Sequence, residues 1–253
     1  MKRVTLLCGL LLAMSASVAA ASGVGIRWTN CLSDAGTQNR NFACNSNTGS
    51  NTLVGTFQLD GAGLLQVSGN EVVVDLASST TPLPQWWQFK NPGTCRTTAL
   101  SMNFTIPGTA LNCADWAQAQ AAGGIGAYNI GARGPNTARV VAAIAVPSTA
   151  LQDLSGGQEY FSFNLVVSNI KTVGATGSCT GCSTPVCIVF NSINLTTPIL
   201  QNNIKLSGPS NGTDADFCTW QGGAGVIVGG TPGCGAATPT HNATWGAVKA
   251  LYH

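Results

Sequence analysis

Tyr160-Phe-Ser-Phe-Asn-Leu-Val-Val-Ser-Asn-Ile170 is the stretch that decides how this chain folds. Phe161, Phe163, Leu165 and Val167 fall on one side of an extended backbone, and Ser162, Asn164 and Ser168 on the other. Side chains of a strand alternate between two faces, so the stretch reads as a strand with its apolar face on a core and its polar face in water. Half-wet strands of this kind belong to antiparallel sheets. The same period recurs along the chain. In 52–59, Leu53, Phe57 and Leu59 share a face; in 71–77, Val72, Val74 and Leu76 oppose Glu71 and Asp75. In 98–106, Leu100, Met102, Phe104 and Ile106 oppose Ser101, Asn103 and Thr105. Segments 138–146 and 186–195 are apolar on both faces, which suits central strands.

Helical signals are few. Segment 112–122 has room for one small helix, with Asp115 favourably near its start, and 82–89 suggests a single turn. Trp245, Val248 and Leu251 recur at helical spacing after a possible cap at Thr244. Gly and Pro clusters between these segments read as loops. The expected fold is therefore all-β: an antiparallel β-sandwich, jelly-roll-like and disulfide-stapled, with a short C-terminal helix.

Lys2 and Arg3, an apolar run from Val4 to Met14 and small residues from Ser15 to Ser22 have the order of an export signal. That run is shorter than the roughly 20 residues needed to cross a bilayer. Residues 1–21 are thus expected to be a signal peptide, and 22–253 a single β-sandwich domain that is secreted, periplasmic or on the cell surface. Eleven Lys and Arg, less Lys2 and Arg3, leave nine against nine Asp and Glu. A balance of zero argues against nucleic acid and against anionic lipid, both of which call for a basic surface. Charged residues are only 8% of the chain, so its polar surface must come from Asn, Thr, Ser, Gln and Gly, while 44% hydrophobic residues suffice for a core. No cofactor is expected.

Ten cysteines, less Cys8 in the signal, leave nine. In an oxidising compartment thiols become crosslinks rather than catalysts or metal ligands. Nearest-neighbour pairing gives Cys31–Cys44 and Cys95–Cys113, each closing a short loop worth about 3 kcal/mol in the chain-entropy model. Cys179, Cys182 and Cys187 form a cluster that could hold zinc, but export favours disulfides and no metal is expected. An odd count leaves one thiol. Cys218, between Phe217 and Trp220, suits a buried free cysteine, with Cys234 bridging to the cluster; the competing scheme joins Cys218 to Cys234.

Candidate sites are sparse. Trp86 and Trp87, flanked by Gln85 and Gln88, have the chemistry of a sugar-stacking platform, and the competing reading has them plug an open end of the sandwich. Paired carboxylates for glycoside hydrolysis could come from Glu71, Asp75, Asp115, Asp153 or Glu159. Glu71 and Asp75 share a strand face, but four residues at ~3.3 Å each put them about 13 Å apart, so that face reads as solvated. Asp214 and Asp216 alternate in a loop where calcium is conceivable, and a solvated turn is the plainer reading. Gly208-Pro-Ser-Asn-Gly212 is a literal G-x-S-x-G, but Pro209 and its loop-rich surround lack the strand and helix of a nucleophile elbow; His241 would be the base for Ser210. N-x-[ST] triplets at Asn103, Asn194, Asn211 and Asn242 follow from an Asn- and Thr-rich composition.

The strings Phe42-Ala-Cys44-Asn45, Leu83-Pro-Gln-Trp-Trp-Gln-Phe89 with Cys95-Arg96, residues 178–191 and the ending 244–252 resemble hypothetical exported proteins of environmental bacteria. The resemblance covers most of the mature chain and implies bacterial export; it carries over no catalytic or binding residue. The expectation is a secreted or cell-surface β-sandwich that is not an enzyme and that binds an extracellular glycan or surface protein, or contributes to a surface layer. A secreted polysaccharide hydrolase using an Asp/Glu pair is the alternative.

Overall fold

The computed structural model describes residues 22–210, 214–223 and 234. Its strands, in chain order, begin with β1 (Gly23–Trp28), β2 (Asn39–Arg40), β3 (Ser50–Gln58), β4 (Leu64–Val67) and β5 (Gly69–Ser78). Next come β6 (Leu100–Asn103), β7 (Ala114–Asp115), β8 (Ala122–Ile130), β9 (Thr137–Ala145) and β10 (Gln152–Leu154). Last are β11 (Glu159–Ser168), β12 (Val186–Thr196), β13 (Ile204–Leu206) and β14 (Phe217–Trp220). The front sheet has the order β1-β3-β11-β6, with β7 on β11; the back sheet has the order β2-β14-β12-β5-β9-β8, with β13 on β12. Except at the short β2 and β7, pairing is antiparallel. In chain order, β3, β5, β6, the antiparallel pair β8–β9, β11 and β12 alternate between front and back, as in a jelly roll. Both segments expected to be central, β9 and β12, have neighbours on either side.

The two sheets meet over one apolar core. Phe163, Leu165, Val167, Leu53, Phe57 and Leu100 enter it from the front, and Val72, Val74, Ile188 and Phe190 from the back. Phe163 is wholly buried, its ring 5.3 Å from that of Phe190 and tilted 75°. It lies over Gly55, where any Cβ would land on the Phe163 ring. Met102 and Phe104 are half-buried against this core, because β6 is short and sits at the sheet edge.

Phe161 departs from the expected register. A bulge between Phe161 and Phe163 puts Phe161 on the outer face, where it packs with Val54 and the Cys31–Cys113 disulfide. The extra residue restores alternation one position later. The same bulge turns Ser162 inward, where its Oγ meets Asn70 of β5 across the sandwich, while Asn164 stays on the outer face but is only 5% exposed. Asp75, expected on a solvated face, is likewise buried and is held by Arg133, Arg139 and Asn191. The segment after β6 covers the outer face at Asn164, and side chains from β9, β12 and the loop after β8 cover Asp75.

Two further expectations need correction, and two fall outside the described residues. Segment 112–122 is not a helix: Asp115 accepts from the Ala117 and Ala119 N–H groups, and Gln118 and Ala119 take left-handed φ of 48° and 62°. Helical turns occur at Gln85–Trp87, within the expected turn at 82–89, and at Leu200–Asn202. The disulfides are Cys31–Cys113, Cys44–Cys182, Cys95–Cys179 and Cys187–Cys234, so neither nearest-neighbour pair exists. Proximity in the sandwich, not along the chain, sets the pairing. Cys218 remains a buried thiol and Cys234 does bridge to the cluster, whose three cysteines enter three different disulfides rather than a zinc site. The signal peptide and the helix near 244 lie outside the described residues. Among those described, no helix is long and apolar enough to cross a membrane.

Candidate functional site

The expected binding residues divide by burial. Trp86 and Trp87 are 0% and 1% exposed, so neither offers a ring face to a sugar. Aromatic neighbours consume those faces: Trp86 stacks on Trp220 at 5.1 Å, and Trp87 meets Trp86, Phe89 and Trp220 edge-on. The Arg96 guanidinium lies 3.6 Å from the Trp86 centroid. It donates to the carbonyls of Trp86, Ser168 and Ile170, and burial pushes its pKa down to about 9. Cys95–Cys179 and Cys44–Cys182 staple the loops around this cluster. The Trp pair is therefore a plug and not a platform. Gln85 is exposed and Gln88 half-buried on an open hollow beside Thr180 and Thr184, but Gln88 Nε2 is spent on the Leu83 carbonyl at 2.7 Å.

A different feature has the attributes of a site. On the outer face of the front sheet, a groove of about 530 Å³ runs over Thr52, Asn164 and Asn103, with Thr105 and Thr109 on one bank and Arg40 on the other. Alternation puts Asn164 and Thr52 on the side opposite Leu165 and Leu53, and Asn103 stands directly across from Asn164 in the β11–β6 register. Asn164 Nδ2 donates to Asn103 Oδ1 at 2.8 Å and to the Thr105 carbonyl at 2.7 Å. Asn164 Oδ1, in contrast, is buried with no partner. Arg40 Nε donates to Asn51 Oδ1 at 2.8 Å, and Asn51 Nδ2 to Asn169 Oδ1 at 2.9 Å.

The bank at 105–113 is held from several directions. Thr109 Oγ1 accepts from Asn30, and Cys113 is crosslinked to Cys31. Asp34 accepts from the N–H groups of Leu111, Asn112 and Cys113, which hold its carboxyl below the usual range. Ile106 and Ala110 pack on the small outer cluster of Val54 and Phe161. A groove built this way is preformed, which lowers the entropic cost of binding.

The nine carboxylates all lie among the described residues, and none lines this groove. Asp75 is spent on two arginines, Glu159 on the Leu32 and Ser33 N–H groups, and Asp115 on its own turn. Asp60 and Asp153 each accept a backbone N–H, and Glu71 reaches Asn194 at 3.5 Å. Asp216 is 6% exposed while Asp214 is exposed; desolvation, with the Asp214 charge beside it, raises the Asp216 carboxyl to about 6. Ser210 is fully buried with its Oγ unpartnered, beside the Val24–Pro209 bridge and not on a strand-to-helix elbow. His241 lies outside the described residues.

Sequence reasoning passed over Asn164 and Asn103 because they read as the wet side of their strands. No family model matches the chain, and no curated protein or solved structure is similar to it.

Proposed function

We propose that this protein is an exported, non-enzymatic binding module whose ligand is an extracellular glycan seated in the groove over β3, β11 and β6. One observation carries the reading: a preformed groove lined by amides and hydroxyls, with an unsatisfied buried acceptor at Asn164 and no carboxylate on its walls. Glycans present dense arrays of hydroxyls that donate and accept, which is what amide side chains pair with. Four disulfides support an oxidising compartment, and bacterial secretion, to the periplasm, surface or medium, is the setting in which such a module would work.

The hydrolase reading has less support. Retaining enzymes place two carboxyls about 5–5.5 Å apart and inverting ones about 6.5–9.5 Å apart, across a cleft. Here the carboxylates are spent on arginines or backbone N–H groups, or lie away from the groove. The test is a glycan array probed with purified mature protein, with product analysis on every sugar retained. Retention without cleavage is expected. New reducing ends would establish the hydrolase, and failure to retain any glycan would defeat the proposal.

A further inference from the structure

We infer that the groove takes an acidic oligosaccharide of about disaccharide length, its hydroxyls read by Asn164 and Asn103 and its carboxylate by Arg40. This rests on the glycan-binding reading and names the ligand class within it. The orientation of the Asn164 amide is fixed by chemistry. Nδ2 faces the Thr105 carbonyl at 2.7 Å, and a carbonyl can only accept, so that atom must be the nitrogen. Oδ1 is thereby left as a buried acceptor lacking a donor. Such atoms are rare in folded proteins because they lose water without regaining a hydrogen bond. A ligand hydroxyl supplies the missing donor once a side-chain shift at the groove wall uncovers Oδ1.

Asn103 follows from the same chain of assignments. Its Oδ1 accepts from Asn164 Nδ2 and from the Thr105 N–H at 3.3 Å, so its Nδ2 is the free end, on a residue exposed at the groove. An acceptor on β11 and a donor on the facing residue of β6 together match a hydroxyl group, which does both.

Arg40 marks the other end. Asn169 Nδ2 donates to the Thr48 carbonyl, which orients Asn169, then Asn51, and so holds Arg40 Nε. The Nη groups of Arg40 make no hydrogen bond or ion pair with any described residue. A planar guanidinium with its fork unspent is suited to bidentate pairing with a carboxylate. Asn164 pairs with Val54, three residues along β3 from Asn51. At ~3.3 Å per residue the two ends are about 10 Å apart, a span that calls for two linked sugar rings rather than one.

The experiment is calorimetric titration of the mature, disulfide-intact protein with a panel of uronate-containing disaccharides and the carboxyl-reduced counterpart of each. At low salt the acidic member of a pair should bind about tenfold tighter or better, the range of a charge-assisted contact, and added NaCl should shrink the gap. Arg40→Gln should erase the preference and Arg40→Lys should restore part of it. Asn103→Asp keeps the acceptor that holds Asn164 and Thr105, loses the Nδ2 donor and adds a like charge. It should weaken acidic ligands about tenfold or more, with an unchanged melting temperature as the check on folding. Equal affinity within pairs, or a preference indifferent to Arg40→Gln, would overturn this ligand class and leave glycan binding standing. If no sugar binds, acidic or reduced, both readings fall together.

Discussion

Replacing Phe163 by alanine should cost about 3–5 kcal/mol, and the same site offers a sharper test than that number alone. The Phe163 ring is wholly buried and meets Phe190 edge-on at 5.3 Å. Burial of an aromatic of this size is worth about 2–3 kcal/mol, and the edge-on contact about 1 more. The residue beneath it, Gly55, has no side chain with which to fill the hole. Gly55→Ala should itself be destabilising by about 1–3 kcal/mol, because the new methyl would collide with the ring. Once Phe163 is alanine, that collision is gone. The methyl then fills part of the cavity, and alanine is the better strand residue by about 0.5–1 kcal/mol. Gly55→Ala should therefore change sign between the two backgrounds, with a coupling of about 1.5–4 kcal/mol. Urea unfolding of the four proteins under non-reducing conditions measures it. Additive effects would refute the placement of Phe163 over Gly55 and, with it, the register of β3 on β11.

Non-reducing peptide mapping should recover Cys31–Cys113, Cys44–Cys182, Cys95–Cys179 and Cys187–Cys234, with Cys218 alkylated only after denaturation; a Cys31–Cys44 peptide would contradict the fold. Removing Cys44–Cys182, whose cysteines are 138 residues apart, should cost about 4–5 kcal/mol by chain entropy, read as a drop in denaturant midpoint. Arg96→Met should destabilise by about 3 kcal/mol or more, since it leaves the carbonyls of Trp86, Ser168 and Ile170 without donors; Arg96→Lys should recover little, because an ammonium cannot fork to three carbonyls. Asp216, raised by desolvation to about 6 from 3.8, binds its proton more tightly folded than unfolded. Its contribution is present below about pH 4 and lost as pH rises to about 6, a loss of about 1–2 kcal/mol after solvent screening. Asp216→Asn should remove that slope and raise the melting temperature at pH 7; an unchanged pH profile would show the carboxyl to be solvated.

The fold was legible where a strand has one face on the core. Val72, Val74, Leu165 and Val167 all point inward as alternation requires, and β9 and β12 are central as their apolar character suggests. Alternation failed at Phe161 because a bulge is a matter of backbone geometry with no residue-type signature in that strand. It failed at Ser162 through the same bulge, and in a different way at Asn164 and Asp75. Period two says which residues share a face; it cannot say whether that face meets water or a loop lined with asparagines. The disulfides were misread for a related reason. Cys31 lies closer in sequence to Cys44, but the loop after β6 returns over the front sheet and delivers Cys113 instead.

The site was less legible than the fold, and the cause lies in how this chain handles polarity. A protein with 8% charged residues cannot mark its functional surface with carboxylates or lysines against a neutral background. It uses amides, and amides are also its ordinary surface, so Asn164 and Asn103 look in sequence like any other asparagine. What distinguishes them is satisfaction. Asn51 and Asn169 have their acceptors and donors consumed in a closed relay, while Asn164, on the wall of a groove, keeps a buried acceptor unpaired. The opening exists because the bank at 105–113 is clamped by Asp34, Asn30 and the Cys31–Cys113 crosslink, none of which belongs to the front sheet's main hydrogen-bond ladder except through the ends of its strands. The scaffold and the recognition surface are thus separately held. Changes at Thr105 or Thr109 would reshape what the groove accepts while leaving the Phe163–Phe190 core, and so the fold, intact.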